Sequence, residues 1–249
     1  MQIEHFAVKN SFLDKYVDYY YLMSTRGDAQ NTSYLAFPSC NNPLGFCRNG
    51  SISKTSDKFW VKFSPGESLE TGLVGNFLKP VEITFEPAVV EFSIIFKPVA
   101  INHFVEKNLG KNLSEDISVV NLFDSLLPPI NKIVDGLDAF EELEDKIISR
   151  FSENPNLELL ESIIRKFEDT GYSISEQNLT KEFQISAKQV FRLFKKHLGI
   201  NPTQYRQLLR FRRVLDLSLK NLENQNLTEV GIDAGYYDQP HFIREFKKT

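Results

Sequence analysis

Cysteine is scarce in this 249-residue chain: Cys40 and Cys47 are the only two, and their spacing matches neither a CxxC redox pair nor half of a zinc site. Free thiols in a reducing compartment follow, and a disulfide framework is excluded. There is no GxSxG elbow and no Gly-rich phosphate loop, so the usual settings for nucleophilic and phosphoryl chemistry are missing. Long apolar runs are absent as well. The longest stretches, such as "VVEFSIIF", are far too short to span a bilayer, and "MQIEHFAVKN" has no basic region followed by an apolar one. The expectation is a soluble, cytoplasmic protein with no membrane partner and no catalytic role.

What is present is a chain 41% hydrophobic, long enough for two modest cores. Its net charge of −4 conceals an asymmetry: from Gln184 onward twelve Lys and Arg stand against six Asp and Glu, whereas the earlier residues carry 17 basic against 27 acidic. An acidic domain joined to a basic one implies a polyanionic partner for the second.

Residues 1–112 read as β-rich, because aromatic and β-branched runs ("YVDYYYLM", "KFWVKF", "VEITFE", "VVEFSIIFK") are separated by turn signals such as "SPGE". Tyr16, Tyr19, Tyr21 and Trp60 in these runs either belong to the core or line a ligand cavity. From Leu113 the period becomes helical, and residues 113–153 read as a helical connector. Phe140, Leu143, Ile147 and Phe151 share one helix face, as core or as the seam of a homodimer. "SENPN" is the linker, and residues 154–249 read as an all-helical domain.

This last region contains an internal repeat. Displaced by 52 positions, "SAKQVFRLFKK" falls on "DQPHFIREFKK", matching Arg192 with Arg244, Phe194 with Phe246, and Lys195 and Lys196 with Lys247 and Lys248. Ser186 and Asp238 are both good N-caps, and Gln189 completes a capping box with Ser186. On a helical wheel Val190, Leu193, Phe194 and Leu198 share one side, with Lys188, Arg192, Lys195 and Lys196 opposite. A shorter helix precedes each copy, which gives two helix-turn-helix units. "INPTQYRQLLRFRRVLDLSL" reads as one long helix between them, begun by Pro202 and lined by Leu208, Phe211, Leu215 and Leu219.

"SAKQVFRLFKKHLGINPTQYRQLLRFRRVLDL" followed by "VGIDAGYYDQPHFIREFKK" resembles the DNA-binding domain of AraC/XylS-type transcriptional regulators, from about Asn156 to the end. "LDKYVDYYY" and "FSIIFKPVAINHF" resemble the cupin-like N-terminal domain of a branch of that family. The resemblance implies an α+β multidomain chain: a cupin-like sensor or dimerisation domain, a connector, and two helix-turn-helix units joined by a long helix. It implies a bacterial, sequence-specific regulator of promoter DNA, modulated by a small-molecule effector or by self-association, with RNA polymerase as a partner if it activates. Carried over by position, Lys188, Gln189 and Arg192 would read bases from the first unit, and Gln239, His241 and Arg244 from the second. Lys195, Lys196, Arg206, Lys247 and Lys248 would contact phosphates.

There are departures from the family pattern. Phe191 replaces a polar residue beside the arginine, Pro240 a small polar one, and Thr180 a helix-packing alanine. The chain ends at "REFKKT" without the usual Gly-x-x-Pro continuation, which leaves either a truncated sequence or a shortened second unit. A cupin metal centre usually takes three histidines and a carboxylate, but only His5 and His103 precede residue 150, so neither metal nor other cofactor is expected. The competing reading is a protein that no longer binds DNA and pairs with another regulator.

Overall fold

The computed structural model describes residues 1–54, 58–66, 69–106, 108–172, 174–220, 230–232, 234–236 and 238–246. Among them, ten strands form two sheets. The larger has the order β1 (Gln2–Phe6), β2 (Val17–Ser24), β9 (Val90–Phe96), β4 (Asn42–Arg48), β7 (Leu69–Val74), β10 (Ile117–Val119), antiparallel throughout. The smaller runs β3 (Thr32–Ala36), β8 (Val81–Phe85), β6 (Lys58–Phe63), β5 (Gly50–Lys54), with β6 and β8 parallel. Met23 and Cys47 from the larger sheet meet Phe59, Val61, Ile83 and Phe85 from the smaller in one buried cluster, so the sheets face each other as a cupin-like sandwich.

Strand β9 is buried along its whole length because it is covered on both faces. Its Phe92, Ile94 and Phe96 point away from the smaller sheet into a second cluster that includes Ile130, Ile133, Phe140, Leu143 and Ile147. Those residues come from α2 (Leu127–Val134) and α3 (Phe140–Ile148), which lie over the outer face of the sheet. Helices α2 and α3 of the connector therefore share the core of the N-terminal sheet. The helical stripe resolves in the same way. Phe140, Leu143 and Ile147 are buried, and the partly buried Phe151 packs edge-on against Phe12 at 4.9 Å, so the stripe serves the core of this domain.

Glu144 on the buried side of α3 is satisfied locally. Its two carboxylate oxygens accept the backbone N–H groups of Lys9 and Asn10, each at 2.8 Å, and so tie the chain's N-terminal segment to the helix. The C-terminal region begins with α4 (Pro155–Asp169), where Asn154 caps the backbone N–H of Asn156 and Pro155 occupies the first turn. It continues through α5 (Glu176–Phe183), α6 (Ala187–Leu198), α7 (Pro202–Lys220) and α8 (Gln239–Phe246). No helix among the described residues is long and apolar enough to cross a membrane.

Candidate nucleic-acid interface

The first helix-turn-helix unit is α5 and α6. Ser175 starts α5 by accepting the N–H of Asn178, and Gln184, in the left-handed region at φ +53°, ends it and turns the chain. Ser186 then starts α6 with the reciprocal bonds of a capping box. Its Oγ accepts the N–H of Gln189, and Gln189 Oε1 accepts the N–H of Ser186 at 2.8 Å. Gln189 is thus both an exposed residue at the head of the helix and its cap. Its carbonyl oxygen is occupied, and its NH₂ group makes no bond to a described residue.

The apolar side of α6 is buried through Val190, Leu193, Phe194 and Leu198. Phe194 sits between Phe167 of α4 and Tyr205 of α7, with ring centroids 5.9 and 5.6 Å away, which seats the helix against both neighbours. Lys188, Arg192 and Lys196 are exposed on the opposite side, and none makes an ion pair with a described residue. Phe191, half exposed beside Arg192, places an apolar ring on the same outer surface.

Helix α7 joins the units. Asn201 and Gln204 form a second reciprocal cap at its start, each side chain accepting the other's backbone N–H at 2.9 Å. Tyr205, Leu208 and Leu209 pack into the first unit, whereas Val214 and Leu217 pack with Val230, Ala234, Tyr236 and Phe242 of the second. Leu208 and Phe211 are buried as the periodicity predicts, but Leu219 is exposed and Val214 takes a core place instead, because the buried face follows the two units rather than one straight stripe. Gly235 has φ +90°, and a Cβ there would lie 2.5 Å from the carbonyl oxygen of Gly171, so the second turn requires glycine. Gln239 is exposed at the start of α8. The backbones of His241 and Arg244 lie in that helix. Their side chains, and all of Lys247 and Lys248, lie outside the described residues.

Two of the cations expected at phosphates also make contacts within the protein. Arg206 turns inward: its Nη1 donates to the carbonyl of Ile174 at 3.0 Å and its guanidinium lies over the Phe167 ring at 5.4 Å. It fastens the segment before α5 to α7. Lys195 donates to the carbonyl of Gly199 and lines a groove shared with Asn76, Phe77 and Lys79 of the N-terminal domain. Lys195 stays exposed, as the periodicity predicts, whereas the turn of Arg206 toward Ile174 has no signal in that periodicity.

The N-terminal domain holds the end of α6 directly. Asn76 Nδ2 donates to the carbonyl of Leu198 at 2.8 Å, and Asn102 Nδ2 to that of His197 at 2.9 Å, which satisfies two carbonyls that a helix end leaves without partners. A Cβ on Gly110 of α1 (Gly110–Leu113) would lie 2.4 Å from the carbonyl oxygens of Lys195 and Lys196, so the two backbones approach as closely as glycine permits. His103 bonds the carbonyl of Ser152 and the Glu161 carboxylate of α4. Burial opposes its charged form, yet these partners outweigh burial and raise its pKa above the ordinary value. His197, buried on α6, is pushed down to about 4 by burial and then by Lys196 and His103.

Among the tyrosines and the tryptophan read as cavity candidates, only Tyr21 lines the interior between the sheets. Tyr16 packs on Phe104 and Phe151, Tyr19 lies beside His5, and Trp60 alternates with the inward Phe59 and Val61 on β6. The interior also contains Glu91, Cys47 and Ser93, for which the one sequence signal is a charged residue inside the apolar run "VVEFSIIF". No group of three His, Cys, Asp or Glu side chains among the described residues is placed to hold a metal ion.

Residues 179–249 match the helix-turn-helix domain family. No curated protein is similar to the chain in sequence. Among solved structures, ToxT from Vibrio cholerae is 12% identical, with a TM-score of 0.47 over 100% of this chain and 94% of its own. An unsaturated fatty acid-bound ToxT from V. cholerae strain SCE256 is 11% identical, with a TM-score of 0.46 over 89% and 92%. The AraC-like transcriptional activator CuxR is 16% identical, with a TM-score of 0.31 over 86% of each chain.

Proposed function

We propose that the chain is a sequence-specific DNA-binding transcriptional regulator whose N-terminal domain sets how readily it grips a promoter, a reading supported by the match of residues 179–249 to a helix-turn-helix domain. The observation that carries this reading is α6. It is capped by Ser186 and fixed by a buried ridge, with Lys188, Arg192 and Lys196 exposed along one edge and unpaired with any described acid. Such an edge suits a major groove: an arginine fork matches guanine O6 and N7, and the aromatic ring of Phe191 can touch a thymine methyl. Lys188, Arg192 and the free amide of Gln189 read bases from the first unit, and Gln239, His241 and Arg244 from the second. Lys195, Lys196, Lys247 and Lys248 anchor phosphates. If the protein activates, RNA polymerase is the further partner.

Control by a small ligand or by self-association is supported by the bonds from Asn76 and Asn102 to the last carbonyls of α6. A change in the N-terminal domain reaches the reading helix through them. The equilibrium moves only by the difference in the effector's affinity between the two states. The competing reading, a protein that pairs with another regulator, is favoured by the exposed Phe191. Salt separates the two. DNA binding loses affinity with a log–log slope of about −0.9 per phosphate neutralised. A slope of several for the full chain on duplex DNA supports the regulator, and a flat one favours the protein partner.

A further inference from the structure

The interior of the N-terminal sandwich contains a buried carboxylate far in sequence from the helix-turn-helix units. Glu91 is 9% exposed and makes no ion pair with a described residue. The register of three adjacent strands builds its surroundings. Cys47 on β4 pairs with Glu91 on β9, and Tyr21 on β2 with Ser93 on β9, so all four side chains project from one face of the sheet. The Tyr21 hydroxyl donates to Glu91 Oε1 at 2.5 Å, Ser93 Oγ to the same oxygen at 2.8 Å, and Cys47 Sγ to Oε2 at 3.4 Å. Burial, reinforced by Glu91, pushes the Tyr21 phenol and the Cys47 thiol well up, so both stay protonated as donors.

These groups border a cavity of about 120 Å³ whose other walls include Phe59, Phe77 and Phe85. Glu144, the other buried glutamate, is closed off by backbone N–H groups, whereas Glu91 faces open space. A carboxylate has about four acceptor positions, and the three donors leave one on Oε2. A buried charge without a counter-ion is costly, and a cation placed against aromatic walls relieves that cost.

We propose that this cavity is a binding site for a small organic monocation, a primary or secondary amine whose ammonium pairs with Glu91 while its carbon skeleton lies among the phenylalanines. The volume is a little below the about 150 Å³ that admits benzene, which selects skeletons of about five or six non-hydrogen atoms. Phe37 borders the cavity and lies 6.3 Å from the Phe211 ring of α7, so occupancy has a contact with the helix that joins the two units. Binding of the amine is independent of the regulator reading, and only its effect on DNA rests on that reading.

The test is thermal unfolding and calorimetric titration of the full chain at neutral pH with pyrrolidine, n-butylamine and cyclopentylamine. Tetrahydrofuran, butan-1-ol and butyrate serve as matched neutral and anionic probes. The expected result is saturable binding and a rise in Tm of a few degrees with the amines alone, abolished in a folded Glu91→Gln variant. Gly45→Ala provides the second variant. Its Cβ would lie 3.2 Å from Glu91 Cδ and Ser93 Oγ, narrowing the cavity while keeping the charge, and it too should lose binding. The proposal is overturned if no amine binds, if the neutral probes bind equally well, or if either folded variant keeps the response. DNA binding is measured separately on the same protein. Its absence alongside amine binding would overturn the regulator reading and leave the site standing.

Discussion

His197 makes the stability of this protein depend on acid in a defined window. The residue is 4% exposed on the buried side of α6, and its Nε2 has no hydrogen-bond partner among the described residues. Its pKa of about 4 lies below the ordinary 6.5, so between those values the unfolded chain binds a proton that the folded chain does not. Stability from this group is therefore complete above the ordinary value and falls with pH until the folded value is passed. At about 1.4 kcal/mol per pH unit the whole window is worth about 3 kcal/mol, of which about 2 falls between pH 6.5 and 5. His103 acts in a different window. Its pKa is raised, so its contribution is complete below the ordinary value and is lost as pH rises through the folded one. The assay is urea unfolding of the full chain and of His197→Gln from pH 7 to pH 5. The gap in unfolding free energy between them should narrow by about 2 kcal/mol toward acid. Parallel curves would refute the assignment and the burial on which it rests.

Three other outcomes follow from the geometry. Gly235→Ala combines φ +90° with a Cβ 2.5 Å from the Gly171 oxygen, and it should cost about 2 kcal/mol or more, read as a lower Tm. Arg206→Ala removes an inward hydrogen bond and a ring contact; it should lower stability by about 1–3 kcal/mol while the salt slope of DNA binding stays unchanged. A reduced slope would return Arg206 to the phosphates. Trp60→Ala should leave any amine response intact, since Trp60 does not border the cavity; loss of that response would contradict the placement of the site.

The features legible in the sequence are those that depend on near neighbours. The capping box of Ser186 and Gln189 spans three residues, and the buried ridge of α6 follows the period of one helix, so both are found where the pattern puts them. The alternation of Phe59, Trp60 and Val61 could have placed Trp60 outward, but the sequence alone does not say which parity faces the second sheet. Features set by distant neighbours were hidden. Arg206 lies on a basic helix face, and its inward turn depends on the carbonyl of Ile174, 32 residues earlier. The Glu91 site depends on the register of β2, β9 and β4, which brings residues 21, 47, 91 and 93 together. Asn76 and Asn102 carry no local signal for capping a helix more than ninety residues away.

The most direct test of the central claim is fluorescence anisotropy of the full chain on duplex DNA from upstream of its own gene, beside the double variant Arg192→Ala, Arg244→Ala. The account predicts tight binding that the variant loses, at about 1–3 kcal/mol for each base-reading arginine, with selectivity over unrelated DNA lost as well. Equal affinity in both proteins, or binding indifferent to sequence in the unaltered chain, would contradict the assignment of α6 and α8 as reading helices.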